Sequence, residues 1–189
     1  MEGDRYAAVI KPLMSEKRYR HSLCVAQQAM LLARRVGVDP EKAYTAGILH
    51  DVMKDCDPSY QLQIMEQSGI ILESVESKIG KIWHAKAGAA YVRDVLHIQD
   101  QEIIDAIACH TTGKAGMTLF DQVLFLADFT SEDRDYDGAQ EIRQALQEDF
   151  HGAMVTALSF SITDLVERGK LIHPDTVNAY NDTLMAEMS

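Results

Sequence analysis

The chain has 189 residues, of which 47% are hydrophobic and 25% charged, and this balance excludes an intrinsically disordered protein. Its 18 basic and 29 acidic residues give a net charge of -11, which disfavours polymeric nucleic acid and anionic membranes as partners. A single domain over residues 1–189 is the organisation expected at this length.

Cysteine usage and hydropathy favour a soluble protein of the cytoplasm. The three cysteines show neither CxxC spacing nor the density of a secreted disulfide scaffold; they are Cys24, Cys56 and Cys109. No apolar run approaches the roughly 18 residues that span a bilayer. Residues 1–11 lack the apolar segment of a signal peptide.

The elements predicted along the chain are helices. Apolar residues recur at steps of three and four residues between Tyr19 and Ala33, which is helical spacing. Ser15 is placed to cap this first long helix, and Gly37 is placed to end it. Asp39-Pro40 and Asp57-Pro58 each combine a capping residue with a proline suited to the first helical turn.

The second half of the chain predicts more helices, at about residues 82–96, 100–110, 118–129, 138–148, 150–168 and 174–187. The polar stretch from Thr130 to Gly138 is expected to form an acidic surface loop. The predicted fold class is therefore all-α, as a single-domain helical bundle.

The dipeptide His50-Asp51 is the sharpest local feature. It follows the apolar run from Ala46 to Leu49, near the end of the helix predicted to begin at Pro40. An imidazole and a carboxylate are both metal ligands, and an ion at the helix edge can be reached by both. Because such a pair also arises by chance, it predicts a metal site only together with other ligands.

Other polar side chains beside apolar neighbours strengthen this prediction. A single buried histidine is more often a hydrogen-bonded core residue, but several helices that aim such groups at one ion would explain all of them. These candidates are His21, His84, His110 and Asp128. Helix ends or solvent account for the remaining histidines, which are given no catalytic role: His97, His151 and His173.

Three features are candidates for phosphate binding. Lys54 follows His50 by four residues, so a continuing helix would place both on one face, although a solvated lysine is an equal alternative. Arg134 offers a bidentate fork, with a surface salt bridge as the alternative. The segment Thr111-Thr112-Gly113 would let backbone N–H groups approach an anion.

In chain order, His21, His50-Asp51 and Asp128 resemble the H…HD…D signature of the HD-domain metal-dependent phosphohydrolases, an all-helical superfamily. A closer resemblance is to its bacterial symmetrical dinucleoside-tetraphosphatase branch, the YqeK-like proteins. The motifs that carry it are Arg18-Tyr19-Arg20-His21-Ser22, Ala46-Gly47-Ile48-Leu49-His50-Asp51 with Lys54, His84-Ala85, His110-Thr111-Thr112-Gly113 and Leu126-Ala127-Asp128. They define a core of about residues 15–145, on which helices 150–187 are expected to pack.

The resemblance implies a small nucleotide substrate: diadenosine tetraphosphate, cleaved at the central anhydride into two ADP. It implies one or two divalent ions, iron first, with manganese, zinc or magnesium as alternatives. One ion would be held by His21, His50, Asp51 and Asp128, and a second by Asp51, His84 and His110. Asp51 and Lys54 would be catalytic, and substrate would be bound by Lys54, Thr111, Thr112, Gly113 and Arg134.

The chain departs from the family pattern after Asp128. The family usually reads Ile-Glu-Pro before a variable residue and arginine, whereas this chain reads Thr-Ser-Glu-Asp-Arg over residues 130–134. The arginine is retained, but the substrate preference need not be that of the family. Two other functions stay open: an HD-type nucleotidase acting on another nucleotide, and a non-catalytic module that binds metal or nucleotide. A homodimer is also left open, since Met30, Leu31 and Leu32 suit either a core or an interface.

Overall fold

The computed structural model describes residues 2–187, and every regular element within that range is helical, which confirms the predicted all-α class. Its α-helices are α1 (Glu2–Ile10), α2 (Glu16–Val36), α3 (Pro40–Leu49), α4 (Pro58–Gln67), α5 (Trp83–Asp94), α6 (Gln101–Cys109), α7 (Leu119–Thr130), α8 (Asp137–Glu148), α9 (Phe150–Glu167) and α10 (Pro174–Glu187). Short 3-10 helices lie at Lys11–Leu13, Glu76–Lys78 and Gly80–Ile82.

The caps predicted for the first helices are present. The Ser15 side chain accepts from the Arg18 amide at 3.3 Å, at the start of α2. Gly37 ends α2 in the left-handed conformation, with a φ of 79°, and donates to Ala33 at 2.9 Å. Asp39 and Asp57 cap α3 and α4 ahead of their prolines.

The helix α1 was not predicted. It packs against α3, where the Tyr44 hydroxyl donates to Asp4 at 3.2 Å. A Cβ on Gly3 would lie 2.5 Å from the Tyr44 ring, so this glycine is what lets α1 approach α3 so closely.

The expectation that α3 continues through the HD pair is wrong. The helix ends at Leu49, and residues 50–55 form successive turns. In these turns the Val52 amide donates to Leu49 and the Lys54 amide to Asp51, a tighter spacing than in an α-helix. Lys54 therefore does not share a regular helical face with His50, and its position is set by the turns.

The predicted loop over residues 130–138 is also partly wrong. Thr130 still belongs to α7, and Ser131 is 0% exposed. Arg143 of α8 explains the burial, because its guanidinium donates to three backbone carbonyls: Thr130 at 3.1 Å, Ser131 at 2.5 Å and Arg134 at 2.7 Å. The backbone of this part of the chain is therefore held against α8, while the side chains of Glu132, Asp135 and Asp137 are exposed.

Apolar anchors directly precede the candidate site residues. Ile48 and Leu49, just before the HD pair, and Phe125 and Leu126, just before Asp128, are all 0% exposed. Such side chains are fixed by close packing, so the polar groups that follow them are placed by the core. The central helix α2 packs against both α3 and α7, which brings these two segments together.

The two C-terminal helices form successive contacts with the bundle. α9 lies against α7 and α8 through buried side chains that include Met154 and Leu158, and α10 packs against α9. Of the residues considered for a core or an interface, Leu32 is buried and Leu31 is 56% exposed. No helix within residues 2–187 has the combined length and apolar character that a membrane crossing requires.

Candidate metal centre

The six predicted metal ligands lie together although they come from five segments of the chain. His21 is on α2, His84 is in the first turn of α5 and Asp128 is near the end of α7, whereas the other three follow helix ends. Their ligand atoms fall into three overlapping groups, each within 4.8 Å: His21, His50 and Asp51; His50, His110 and Asp128; and Asp51, His84 and His110.

Asp51 stands between two sets of imidazoles. Its Oδ2 lies 3.4 Å from His50 Nε2 and 4.0 Å from His21 Nε2. Its Oδ1 lies 3.1 Å from His84 Nε2 and 3.6 Å from His110 Nε2. Each carboxylate oxygen therefore faces a different half of the cluster, which is the arrangement that a ligand shared by two ions requires.

Three histidines are oriented by the same device. The Nδ1 of His50 donates to Gly47 O at 2.7 Å, and that of His110 donates to Ile107 O at 2.7 Å. These carbonyls belong to the last turns of α3 and α6, where they have no helical partner. His84 likewise donates to Lys81 O at 2.9 Å. Because a carbonyl can only accept, Nδ1 carries the proton and each Nε2 presents a lone pair to the cluster.

His21 is oriented differently. Its Nδ1 lies 2.8 Å from the Asp133 carboxylate, and its Nε2 lies 3.0 Å from Asp128 Oδ1. A carboxylate that accepts a hydrogen bond from Nδ1 fixes the tautomer and raises the basicity of Nε2, which faces the cluster. Asp133 is in turn held by the Ser131 hydroxyl at 2.8 Å.

One atom shows that this cluster fits a cation. His50 Nε2 is buried and makes no hydrogen bond with any described residue, although the Asp51 carboxylate is close to it. A buried acceptor left without a donor is unfavourable, and a metal ion among these atoms would satisfy it. The donor set of four imidazoles and two carboxylates suits a divalent transition metal.

The protonation states also suit a cation. Burial lowers the pKa of His84 to about 4, so its imidazole is neutral near pH 7. Burial by itself would raise the pKa of Asp51, but the surrounding imidazoles of His50, His84 and His110 hold it well below its usual value. Asp128 is likewise kept ionised, by His21 and the Arg134 guanidinium, against the effect of burial. Neutral imidazoles and ionised carboxylates are the forms that bind metal.

Comparison with known proteins assigns this arrangement to a family. The model of the HD domain matches residues 18–133, a range that contains all six side chains. The chain belongs to the HD domain family. The HD protein is 32% identical, over 99% of its length and 100% of the relative, to the symmetrical bis(5'-nucleosyl)-tetraphosphatase of Halalkalibacterium halodurans. It is also 32% identical to the enzyme of that name from Bacillus subtilis, over 96% of this chain and 97% of the relative.

A solved structure extends the likeness to three dimensions. The crystal structure of a predicted HD superfamily hydrolase involved in NAD metabolism, from Clostridium acetobutylicum, matches with a TM-score of 0.92. The two proteins are 30% identical, and the match covers 97% of each chain. The helical arrangement around the cluster is therefore that of the HD superfamily.

Cationic side chains surround the cluster of the HD protein. Arg18 contacts Asp51 Oδ2 at 2.5 Å, and Arg134 is paired with Asp128. Lys54 Nζ lies 3.3 Å from the His84 ring, and burial lowers the pKa of this lysine. Together they offset the acidic ligands locally in a chain whose net charge is -11.

The other predicted substrate residues are placed unevenly. Thr111 and Thr112 follow His110 directly and are partly exposed. Gly113 is buried, and its amide donates to Cys109 at 2.8 Å, so the expected free backbone donor is already engaged. The backbone at this turn has a positive φ of 67°, which favours glycine at position 113. His173, which was set aside, accepts from the Asp175 amide at 3.1 Å, in agreement with the capping role expected for it.

Sequence reasoning missed three residues of the HD protein. Asp133 lies in the predicted acidic loop and Arg18 in a motif of the family resemblance, so neither is predicted to contact the metal ligands, and no sequence pattern points to Arg143. The contacts of Asp133 and Arg18 with the site span 112 and 33 residues. No local spacing reports such pairs, although the charge of Asp133 beside a retained arginine was a usable signal.

Two cavities open beside the cluster and meet at Arg134 and Tyr136. One, of about 340 Å³, is lined by polar residues that include Lys17, Arg18 and His21. The other, of about 560 Å³, extends from Asp128 towards α8 and α9. Both fall in the size range of about 300–1,000 Å³ that is usual for small-ligand sites.

Proposed function

We propose that this protein hydrolyses dinucleoside tetraphosphates symmetrically, converting diadenosine tetraphosphate into two molecules of ADP. The observation that carries the proposal is the complete cluster around Asp51 in a chain whose full-length relatives are symmetrical tetraphosphatases. The two cavities that meet at Arg134 give a long, anionic substrate room beside that cluster.

The six clustered side chains are proposed to hold two divalent ions. His21, His50, Asp51 and Asp128 would hold the first, and Asp51, His84 and His110 the second. Four imidazoles favour iron, manganese or zinc over magnesium, which prefers oxygen ligands and its own water shell. Iron is the ion that the family resemblance implies.

When bound, such ions supply Lewis-acid stabilisation of the phosphoryl oxygens and activation of the attacking water. The chain's own residues bind and orient the substrate. Arg134, between the two cavities, offers a planar fork for phosphate oxygens. Lys54 supplies a charge on the opposite side, beside His84. Fixed charges of this kind favour the negative charge that spreads over the phosphoryl oxygens in the transition state.

Incubation of the purified protein with manganese and diadenosine tetraphosphate, followed by anion-exchange chromatography, tests the proposal. ADP as the sole product, lost with a chelator and restored by added metal, is the expected result. ATP with AMP would mean asymmetric cleavage and would contradict it. A matched incubation with nucleoside mono- and triphosphates distinguishes a nucleotidase, which would consume those faster.

A non-catalytic metal- or nucleotide-binding module is the second candidate from another class. The central Asp51 and the half-buried Lys54 argue against it, because a binding module needs neither. In the same incubation such a module would bind nucleotide without releasing product. Single-domain organisation over residues 1–189 and a cytoplasmic location stay predictions. So does the homodimer, which sedimentation of the purified protein would test.

A further inference from the structure

The turns that follow the HD pair are held by a side chain to which the proposed chemistry gives no role. These turns replace a helix over residues 50–55, and they carry Lys54. Turns of this kind leave backbone carbonyls without the partners that a continuing helix would supply. Gln61, on α4, reaches two of them: its Nε2 lies 3.0 Å from Met53 O and 3.0 Å from Cys56 O.

The two carbonyls fix the direction of the Gln61 amide. A carbonyl can only accept a hydrogen bond, so the amide nitrogen faces Met53 and Cys56 and uses both of its hydrogens. Gln61 is 5% exposed, so water competes little for either contact. The two hydrogen bonds therefore tie α4 to the backbone on both sides of Lys54.

Packing alone does not explain a glutamine at this position. Its neighbours on the buried face of α4 are the apolar residues Ile64 and Met65. The Gln61 Oε1 is buried and makes no hydrogen bond with any residue of the described range 2–187. A buried acceptor without a donor is unfavourable, and an apolar side chain of the same length would avoid that cost. The two carbonyls that Gln61 holds account for the polar residue.

The same turns have a second contact, at the surface. Asp55 accepts from the Ser15 amide at 2.9 Å and from the Ser15 hydroxyl at 2.6 Å, which ties the turns to the start of α2. Both residues are exposed, so water competes for these bonds. The buried hold on the backbone beside Lys54 is that of Gln61.

Lys54 depends on this backbone for its position. Its Nζ lies 3.3 Å from the His84 ring, and its amide donates to Asp51 O at 2.9 Å. A lysine side chain is flexible, so the backbone that carries it decides which groups its charge can reach. We propose that Gln61 is a positioning residue, which holds the turns so that the Lys54 ammonium faces the phosphoryl group at the metal centre. The inference rests on the proposed function for the role of Lys54.

Gln61→Met tests the inference, because methionine has a similar length and no donor. Two controls lie on the same helix: Gln63→Met makes the same change at an exposed position, and Ile64→Val removes buried volume without touching the two carbonyls. A small displacement of a charged group is costly, so Gln61→Met is expected to lower kcat/KM for diadenosine tetraphosphate about 5- to 50-fold. Both controls are expected to change it less than about twofold. The bound metal, measured by elemental analysis, should equal that of the wild-type protein.

The double variant that combines Gln61→Met with Lys54→Met separates positioning from a general loss of stability. If Gln61 acts through Lys54, the double variant should lose no more than about twofold in kcat/KM beyond Lys54→Met alone. Losses that multiply would mean that Gln61 acts elsewhere in the protein, and they would overturn the proposal. So would an unchanged kcat/KM in Gln61→Met.

Two measurements separate this inference from the proposed function. Hydrogen exchange followed by mass spectrometry should show faster exchange over residues 50–56 in Gln61→Met, but not in Gln63→Met. Calorimetric titration of inorganic tripolyphosphate into the manganese-loaded protein should show binding about 3- to 10-fold weaker in Gln61→Met, even if the wild-type protein cleaves no dinucleotide. Wild-type affinity for tripolyphosphate in Gln61→Met would reject the inference even if symmetrical cleavage is observed.

Discussion

Asp133 Oδ2 lies 2.8 Å from the Nδ1 of His21, although 112 positions of sequence separate the two residues. The other three histidines of the cluster use backbone carbonyls for the same purpose. Asp133 belongs to the stretch in which this chain departs from the pattern of its family. The departure therefore reaches the metal centre through the orientation of His21.

This contact predicts that Asp133→Ala weakens metal binding. Loss of a carboxylate behind a metal-binding histidine typically costs about 10- to 100-fold in metal affinity. Asp133→Asn should lose less, because the amide oxygen still accepts from Nδ1. Competition with a fluorescent chelator measures both affinities, and Glu132→Ala, at an exposed neighbouring position, is the control. An Asp133→Ala protein with wild-type affinity would show that His21 needs no such partner.

Arg143 is predicted to matter although it does not reach the cluster. It donates to the carbonyls of Thr130, Ser131 and Arg134, and so holds the segment that carries Asp133. Arg143→Ala should lower the free energy of unfolding by about 1–3 kcal/mol and reduce kcat/KM. Arg143→Lys should lose nearly as much stability and kcat/KM as Arg143→Ala, since one ammonium group cannot span three acceptors.

Urea unfolding and steady-state kinetics measure these two effects. Gln140→Ala, on the exposed side of the same helix, provides the control for changes to α8 itself. If Arg143→Ala has the stability and the kcat/KM of the wild-type protein, residues 130–134 are held by other contacts.

Lys54 is predicted to act on the substrate rather than on the metal. Its Nζ lies near His84, but an ammonium group is not a metal ligand in its charged form. Lys54→Met should keep the bound metal and lose about 100-fold or more in kcat/KM, as expected for one lost charge on the phosphoryl group. Elemental analysis measures the bound metal, and a turnover assay measures kcat/KM. A loss of metal as large as the loss of activity would mean that Lys54 is needed for metal binding.

Gly47→Ala is predicted to destabilise the fold. A Cβ at this position would lie 2.5 Å from the Ala26 Cα, and backbone atoms of α2 cannot move aside cheaply. Overpacking of this kind costs about 1–3 kcal/mol. Gly80→Ala is the matched control, because its nearest neighbour would be 3.8 Å away, and it should change stability by less than about 0.5 kcal/mol. Thermal unfolding measures the stability of both variants. A difference of less than about 0.5 kcal/mol between Gly47→Ala and Gly80→Ala would contradict the prediction.

The fold was largely predictable because its signals are local. The caps at Ser15, Asp39 and Asp57 and the glycine at residue 37 mark helix ends through contacts over two to four residues. The helix α1 escaped prediction because it depends on the approach of Gly3 to Tyr44, a contact between distant parts of the chain. The end of α3 was misplaced because no glycine or proline follows Leu49 closely enough to mark it.

The candidate site was predictable to a smaller extent. The six clustered side chains follow apolar runs or carry a family motif, so both signals were present in the sequence. Their orienting partners were not visible. Gly47 and Ile107 act through backbone carbonyls, which no side chain reports, and Asp133 acts across the fold.

Anomalous diffraction from crystals of the manganese-loaded protein would show directly whether the cluster around Asp51 holds two ions. Two peaks are expected on either side of the Asp51 carboxylate, one beside His21, His50 and Asp128 and the other beside His84 and His110. Manganese peaks only at other residues, with the cluster clearly defined and without an ion, would contradict it.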